Sequence, residues 1–498
     1  MQPQLWQQQF DNCNPAQKKA INTIEGPVLV IAGPGTGKTQ ILSLRIGKIL
    51  LETDTKPQNI LCLTYTDAGT IAMRKRLEQF IGTDAFRVHI HTFHSFCNKV
   101  IQENMEYFSL RELQLLTDLE RVELMTELID GFLADHPLKK FTGDVYASMN
   151  RMTNLFSTMK SENWSPINIS NAIDQYLSLL PEKDGYRYKV NKPKENIVKG
   201  DLHTRKFEEE MQRMEVLRAA AKEFGNYEAL MQKHFRYDYQ DMINWVIKAF
   251  EQHDTLLGKY QEQYLYFLVD EFQDTNGSQS AVLNQLTAFW YSPNVFVVGD
   301  DDQSIYRFQG ANLRNIQDFV GRYAANLEVV MLKENYRSTQ NVLDASKAVI
   351  ENNIERITNH DELKSKFIGL EKNLISQNPN LVGLDLPIKL VEYENEIHEE
   401  ADIAKQIEIK YKAGEDLTEV AILYRNHKQI NNILQVFDHR KIPYNAKKSL
   451  NLLELPFAQN LITLLRYIDE ESTKPGTGNY LLFPVSYTHL TLPTNREV

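Results

Sequence analysis

The sequence predicts an α/β protein of two domains built on parallel sheets, each carrying a mainly helical insertion. Three observations lead there. Short apolar runs ending in turn residues recur: VLVIAG from Val28, ILCLTYT from Ile60, VHIHTF from Val88, YLYFLVDE from Tyr264 and VFVVGD from Val295. Continuous apolar strands of this kind are buried on both faces, as in a parallel sheet. A glycine-rich turn follows the first of them and opens a helical pattern from Gln40 to Leu51. A second strand series, LEVVML from Leu327, IKLVEY from Ile388 and VAILYR from Val420, alternates with charged helical stretches and implies a second α/β domain.

Taken in order, residues 1–100 and 225–322 supply the first domain. Between them, residues 101–224 have helical spacing, as in LRELQLLTDLERVELMTELIDGFL from Leu110, and form an inserted helical unit. Within it, Lys183 to Lys206 is rich in Lys, Arg, Asn and Tyr; it reads as an exposed loop or as a local basic contact to duplex DNA through Lys189, Lys192 and Lys194, with Tyr186 and Tyr188 interleaved in the segment. Residues 323–450 begin the second domain and 451–484 a second helical insertion. The stretch VSYTHLTLPTNREV, residues 485–498, continues no pattern before it and reads as a non-native tail.

Composition removes several classes. With 42% hydrophobic and 24% charged residues the chain is neither disordered nor fibrous. Its 55 Lys and Arg against 66 Asp and Glu leave a net charge of −11, so any contact with DNA is local. No apolar run approaches the roughly 20 residues needed to span a bilayer, and Met1-Gln2-Pro3-Gln4 does not open a signal peptide, so a cytoplasmic protein with no membrane partner is expected. Cys13, Cys62 and Cys97 stand far apart, which predicts reduced structural thiols. His89, His91 and His94 have no carboxylate or Cys at ligand spacing and read as a packed or DNA-facing strand end.

The chemistry concentrates at strand ends. Gly33-Pro34-Gly35-Thr36-Gly37-Lys38-Thr39 follows a strand and precedes a helix, the context a phosphate-binding loop requires. In the strict eight-residue frame Ala32 replaces the first glycine, while Gly37-Lys38-Thr39 keep their places. Glycines let backbone N–H groups wrap phosphates at a helix N-terminus, where the dipole favours anions. Lys38 would reach the β and γ phosphates and the Thr39 hydroxyl would hold Mg2+. The strand YLYFLVDE delivers Asp270 and Glu271, which are read as the metal carboxylate and the base for the attacking water, or else as acidic residues opening a helix. The separation of Lys38 and Asp270 is taken to mean neighbouring strands with the helical unit looped out. Gly299-Asp300-Asp301-Asp302-Gln303 closes the next strand. Three adjacent carboxylates repel unless cations or helix N-termini lie nearby, the spacing excludes an EF-hand, and Gln303 would sense the γ-phosphate or water. Beyond it Tyr306 and Phe308 are either a platform for unpaired bases or a packed aromatic turn. Asn335-Tyr336-Arg337-Ser338 offers a ring and a guanidinium after the strand ending at Leu332.

Together, NPAQKKAI at Asn14, AGPGTGKT, VDEFQDTN at Val269, TYT at Thr64, HTFHSF at His91, GDDDQSIYRFQGA from Gly299, NYRS at Asn335 and AILYR at Ala421 resemble the UvrD/Rep family of superfamily 1 DNA helicases, from about Asn14 to about Asp469. The resemblance implies two RecA-like P-loop domains, the second incomplete, and an ATP- and Mg2+-dependent 3′→5′ motor on single-stranded DNA and single-strand/duplex junctions, serving repair, replication or recombination with protein partners of those processes. It implies that Gln17 reads adenine, that the loop from Gly33 to Gln40 binds phosphates, and that Tyr336 stacks on adenine with Arg337 on the γ-phosphate. Thr64, Tyr65, Thr92, Phe93, His94, Tyr306 and Phe308 would face DNA. The sequence departs from the family in three places. Asp67-Ala68-Gly69-Thr70 replaces Asn-Lys-Ala-Ala, Phe308-Gln309 replaces Trp-Arg, and a Lys-Gly-Leu-Glu segment and a late Arg-bearing helix are missing. Two other readings share these motifs: the helicase part of a helicase–nuclease, and a fragment that binds ATP and DNA without turnover.

Overall fold

The computed structural model describes residues 3–108, 113–139, 146–191, 198–304, 314–353, 356, 372–446, 453 and 455–474. In chain order the strands are β1 (Val28–Ala32), β2 (Ile60–Thr64), β3 (His89–Thr92), β4 (Gln114–Leu115), β5 (Arg236–Tyr237), β6 (Tyr266–Val269), β7 (Val295–Gly299), β8 (Glu328–Leu332), β9 (Glu334–Asn335) and β10 (Ile375–Ser376). Six of them form one parallel sheet in the order β3-β2-β6-β7-β1-β8. Every residue of β1, β2, β6 and β7 is buried, as their unbroken apolar runs require.

Side chains alternate across the sheet and feed two cores. Leu29, Ile31, Leu61, Leu63, Phe267 and Val269 point to one face. Val28, Val30, Ile60, Cys62, Leu268 and Val298 point to the other. The second face is covered by α1 (Pro3–Asp11), α2 (Pro15–Asn22), α3 (Lys38–Glu52) and α4 (Asp67–Ile81). The first is covered by α5 (Phe93–Glu103) and by helices from beyond the helical unit. That unit comprises α6 (Asp118–Asp130), α7 (Met149–Ser161), α8 (Pro166–Leu179), α9 (Thr204–Lys222) and α10 (Phe224–Lys233), around its own core of Leu124, Leu128, Phe156, Phe224, Tyr227 and Met231. The chain enters and leaves it through the short parallel pair of β4 and β5. It returns to the sheet with α11 (Tyr239–Gln252), α12 (Asp254–Gln263), α13 (Gly277–Thr287) and α14 (Arg314–Arg322); α15 (Gln340–Ile350) follows β9.

Three expectations are corrected. The helical unit closes near Lys233 rather than 224, because Phe224, Tyr227 and Met231 pack into its core. β1 and β6 are not neighbours: β7 lies between them. LEVVML does not open a second sheet. It is β8, in register with β1 from Val28 opposite Glu328 to Ala32 opposite Leu332. Apolar content marks a strand, but its partner is set by which edge is open, and β1 offers one.

The described residues from Lys389 onward belong to a second compact unit. Its described helices are Glu396–Lys412, His427–Arg440 and Pro456–Thr473. Ala404, Ile430, Ile433, Leu434 and Phe437 make its core, with Ile422 and Tyr424 against it. Among the described residues neither IKLVEY nor VAILYR joins a ladder, and Leu390 and Leu423 are exposed. The segment 485–498 lies outside the described residues. Among the described residues no helix is long and apolar enough to cross a membrane.

Candidate nucleotide site and nucleic-acid face

The glycine-rich turn joins β1 to α3 at the carboxyl edge of the sheet. Gly37 is the N-cap of α3 with φ 90°, and no side chain caps it, whereas Asn14, Thr66 and Asp238 cap α2, α4 and α11. The first N–H groups of a helix lack intrahelical partners. Here no N-cap side chain competes for them, and the helix dipole favours an anion at this end. Thr36 is buried and its hydroxyl donates to Gly33 O at 2.8 Å, fixing the turn from within. Gln40 stands in the first turn of α3, half-buried beside Thr39.

Lys38 leaves this helix end toward β6. Its Nζ lies 2.6 Å from Glu271 Oε2, spanning the intervening β7. Asp270 ends the strand, and its amide donates to Leu63 O on β2 at 2.9 Å. Burial, then the neighbouring Glu271 charge, pushes the Asp270 carboxyl up to about 7. The same causes push Asp274 up to about 6, and Asp274 Oδ1 is buried without a hydrogen-bond partner. The Thr39 hydroxyl and the carboxylates of Asp270 and Asp274, one oxygen of the latter without a partner, are hard-oxygen groups of the chemical type that Mg2+ takes. Glu271 itself adopts the left-handed region, φ 50° and ψ 46°, a cost of roughly 1–2 kcal/mol for a residue with Cβ. Strain of this kind persists where the surroundings impose it, here through Lys38 and Gln273.

Gln273 ties this carboxylate to β7. Its Nε2 donates to Glu271 Oε2 at 2.9 Å and its Oε1 accepts from Asp300 N at 2.9 Å. Gln303 Nε2 donates to Asp300 Oδ2 at 2.5 Å. The repulsion expected among Asp300, Asp301 and Asp302 is relieved by Lys372, whose Nζ bonds Asp300 and lies 2.8 Å from Asp301 and from Asp302. Arg356 holds Asp302 through two bonds of 2.8 Å. Burial opposes the Lys372 ammonium, yet the three carboxylates raise its pKa above the ordinary lysine value.

β9 closes the loop from the other side. Tyr336 N donates to Gly35 O at 2.9 Å and the Asn335 amide donates to Pro34 O. A Cβ on Gly35, which has φ 69°, would stand 2.7 Å from Arg337 Cβ and 2.8 Å from Asn335 Nδ2. Arg337 is exposed at this rim. Asn14 and Gln17 form the capping box of α2, and their remaining donors face the site: Gln17 Nε2 bonds Thr36 O at 2.9 Å, and Asn14 Nδ2 bonds Tyr336 OH at 3.0 Å. Tyr336 OH in turn donates to Glu334 at 2.6 Å.

The expected nucleic-acid residues separate. Tyr65 and Thr92 are half-buried at the ends of β2 and β3; Thr92 caps α5, and Thr64 is buried, donating to Thr66 O at 3.0 Å. Phe93 is corrected: at 3% exposure it belongs to the sheet core, because the first turn of α5 aims it inward. His94 is held edge-on to Tyr239 at 6.3 Å, its Nε2 buried without a partner, and burial lowers its pKa. Tyr239 itself is 60% exposed. His89 bonds Tyr264 at 2.7 Å, so it packs within the domain. Tyr306, Phe308 and Gln309 lie outside the described residues, as do Lys192 and Lys194. Tyr188 stacks on His203 at 4.4 Å, which ties the basic loop to α9.

A family model for the UvrD/REP helicase N-terminal domain matches residues 13–324, and one for the UvrD-like helicase C-terminal domain matches 330–477. The chain belongs to the UvrD/Rep helicase family. It is 28% identical over 467 residues to the ATP-dependent DNA helicase PcrA of Bacillus subtilis (strain 168), covering 93% of this chain and 54% of that protein. The PcrA helicase of Staphylococcus epidermidis (strain ATCC 12228 / FDA PCI 1200) is 29% identical over 457 residues, covering 92% and 54%. The chain spans about half the length of the curated relatives it matches.

In this UvrD/Rep chain the structure brings Gln17, the phosphate loop, Asp270, Glu271 and the Tyr336 backbone to one edge of the sheet. Sequence reading missed the Asn14 bond to Tyr336, the Gln273 bridge, Asp274, and the Lys372 and Arg356 partners of the aspartates. The Asp300–Asp302 charge run called for either a cation or a helix N-terminus; the structure supplies cations, from residues that the run did not point to.

Proposed function

We propose that this chain is the motor part of an ATP- and Mg2+-dependent DNA helicase that moves 3′→5′ on single-stranded DNA in repair, replication or recombination. The observation that carries this reading is the Lys38–Glu271 pair of 2.6 Å at an uncapped helix N-terminus. In it, Lys38 exchanges Glu271 for the β and γ phosphates, which frees Glu271 to orient water and take its proton. Thr39 and Asp270 hold Mg2+, which when bound neutralises charge on the phosphates. Gln303 senses the γ-phosphate through its bond to Asp300. Arg337, exposed beside Gly35, balances the charge that develops in transfer. Gln17 and Tyr336 bracket the adenine. Tyr65, Thr92 and His94, with Tyr306 and Phe308, supply the DNA contacts, the aromatic ones by stacking, whereas Thr64, buried and bonded to Thr66 O, positions the strand end beside them.

The test is steady-state ATP hydrolysis with and without oligo-dT. Wild type is expected to be stimulated by DNA, Glu271→Gln to bind nucleotide but lose at least about 100-fold in kcat, and Lys38→Ala to lose binding as well. Nucleotide binding with turnover at background in the wild-type chain would replace this reading by that of a non-hydrolysing binding fragment.

A further inference from the structure

Three carboxylates, of Asp300, Asp301 and Asp302, offer oxygens within 4.8 Å of one another. The cation at their centre is a side chain. Lys372 is 5% exposed, Asp300 and Asp301 at most 1%, and Arg356 closes the outer side on Asp302. A buried charge cluster keeps its shape only while its partners are present, since removal of one leaves the others uncompensated.

The cluster sits on a continuous polar chain. Lys38 bonds Glu271, Glu271 accepts from Gln273, Gln273 accepts from the Asp300 amide, and Asp300 bonds Lys372. There is little slack in it: a Cβ on Gly299 would stand 2.7 Å from Gln273 Oε1 and 3.2 Å from Gln273 N. The segment carrying Lys372 also returns to the phosphate loop. Two residues on, Leu374 packs so closely on Gly33 that a Cβ there would lie 2.7 Å from Leu374 Cδ2, and Ile375–Ser376 then pairs with β9. In sequence, the residues read as a base-stacking platform begin at Ile305, directly after the turn that the aspartates open.

We propose that Lys372 and Arg356 are positioning residues that clamp the Asp300–Gln303 turn, so that a change at Lys38 and Glu271 is passed to the DNA-binding segment instead of being absorbed locally. This inference rests on the ATP- and DNA-binding reading above. Neither residue touches nucleotide or DNA in it. Their effect is on the linkage between the two ligands, which is a coupling free energy measurable from binding alone.

The experiment titrates the full chain with a fluorescent, non-hydrolysable ATP analogue and Mg2+, with and without saturating oligo-dT, and takes the ratio of the two Kd values. Wild type is expected to give a ratio differing from one by roughly 5- to 150-fold in either direction, the ordinary span of coupled sites. Lys372→Met and Arg356→Met are expected to bind each ligand alone within about threefold of wild type, but with a ratio within about twofold of one. Lys372→Arg keeps the charge and is expected to recover part of the coupling. A merely structural role would weaken both ligands and leave the ratio unchanged. If Lys372→Met does not fold, Arg356→Met carries the test, because it leaves Lys372 in place among the aspartates. A wild-type ratio retained in the folded variants overturns the clamp alone, whereas a wild-type chain that binds neither ligand overturns the functional reading and the clamp with it.

Discussion

At the scale of the residue, the phosphate loop shows why its glycines cannot be exchanged. Gly35 has φ 69°, and its missing Cβ leaves the space that Asn335 and Arg337 fill. Gly35→Ala should therefore lower stability by about 1–2 kcal/mol through backbone strain alone. It should weaken nucleotide binding more than that figure implies, since the loop must also push back Asn335; thermal unfolding of the free chain and nucleotide titration separate the two effects. That glycines were needed here was legible in the sequence, because backbone must wrap a phosphate. That Asn335, some 300 positions later, grips Pro34 was not. Its partner is chosen by the fold, and nothing in NYRS encodes it locally.

At the scale of the element, β3 carries a pH dependence. Burial, then the charge of Lys99, lowers both His89 and His91 to about 4; Glu103 opposes this at His89, the two imidazoles disfavour each other's charge at His91, and Arg74 adds to both. Both rings are thus neutral in the folded chain at pH values where the unfolded chain, near 6.5, takes up protons. Stability from this source is complete above pH 6.5 and is lost as the pH falls toward 4. Denaturant unfolding across that window should show a decline of about 1 kcal/mol per histidine after allowance for solvent screening, and His91→Gln should flatten it. A second element-scale prediction concerns Lys160. This α7 residue is 2% exposed and lies 2.8 Å from both Asp238 and Asp241 at the start of α11, joining the helical unit to the sheet. Lys160→Met leaves two carboxylates unpaired and should cost about 3–5 kcal/mol in urea unfolding at neutral pH. Helical spacing made α7 and α11 visible in the sequence, but not this tie, whose partners stand 78 and 81 positions apart.

At the scale of the molecule, IKLVEY and VAILYR, read as strands, join no ladder among the described residues, whereas the strands of the first sheet, the presence of a helical unit and the placing of chemistry at strand ends could be read from the chain. Each depends on local composition: unbroken apolar runs must be buried on both faces, helical spacing must build a separate core, and a phosphate loop must stand between a strand and a helix. The sequence by itself therefore determined the fold class, the family, and that Lys38, Asp270 and Glu271 belong to one site. Tertiary structure alone decided the strand order, which inserts β7 between β1 and β6 and gives LEVVML to the first sheet. It also decided that Phe93 is core, and that the cations beside Asp300–Asp302 are Lys372 and Arg356. The reason is physical. Hydrophobicity, helix spacing and backbone freedom are properties of neighbouring residues, whereas the pairing of edges and of buried charges is settled only when distant segments compete for the same partner.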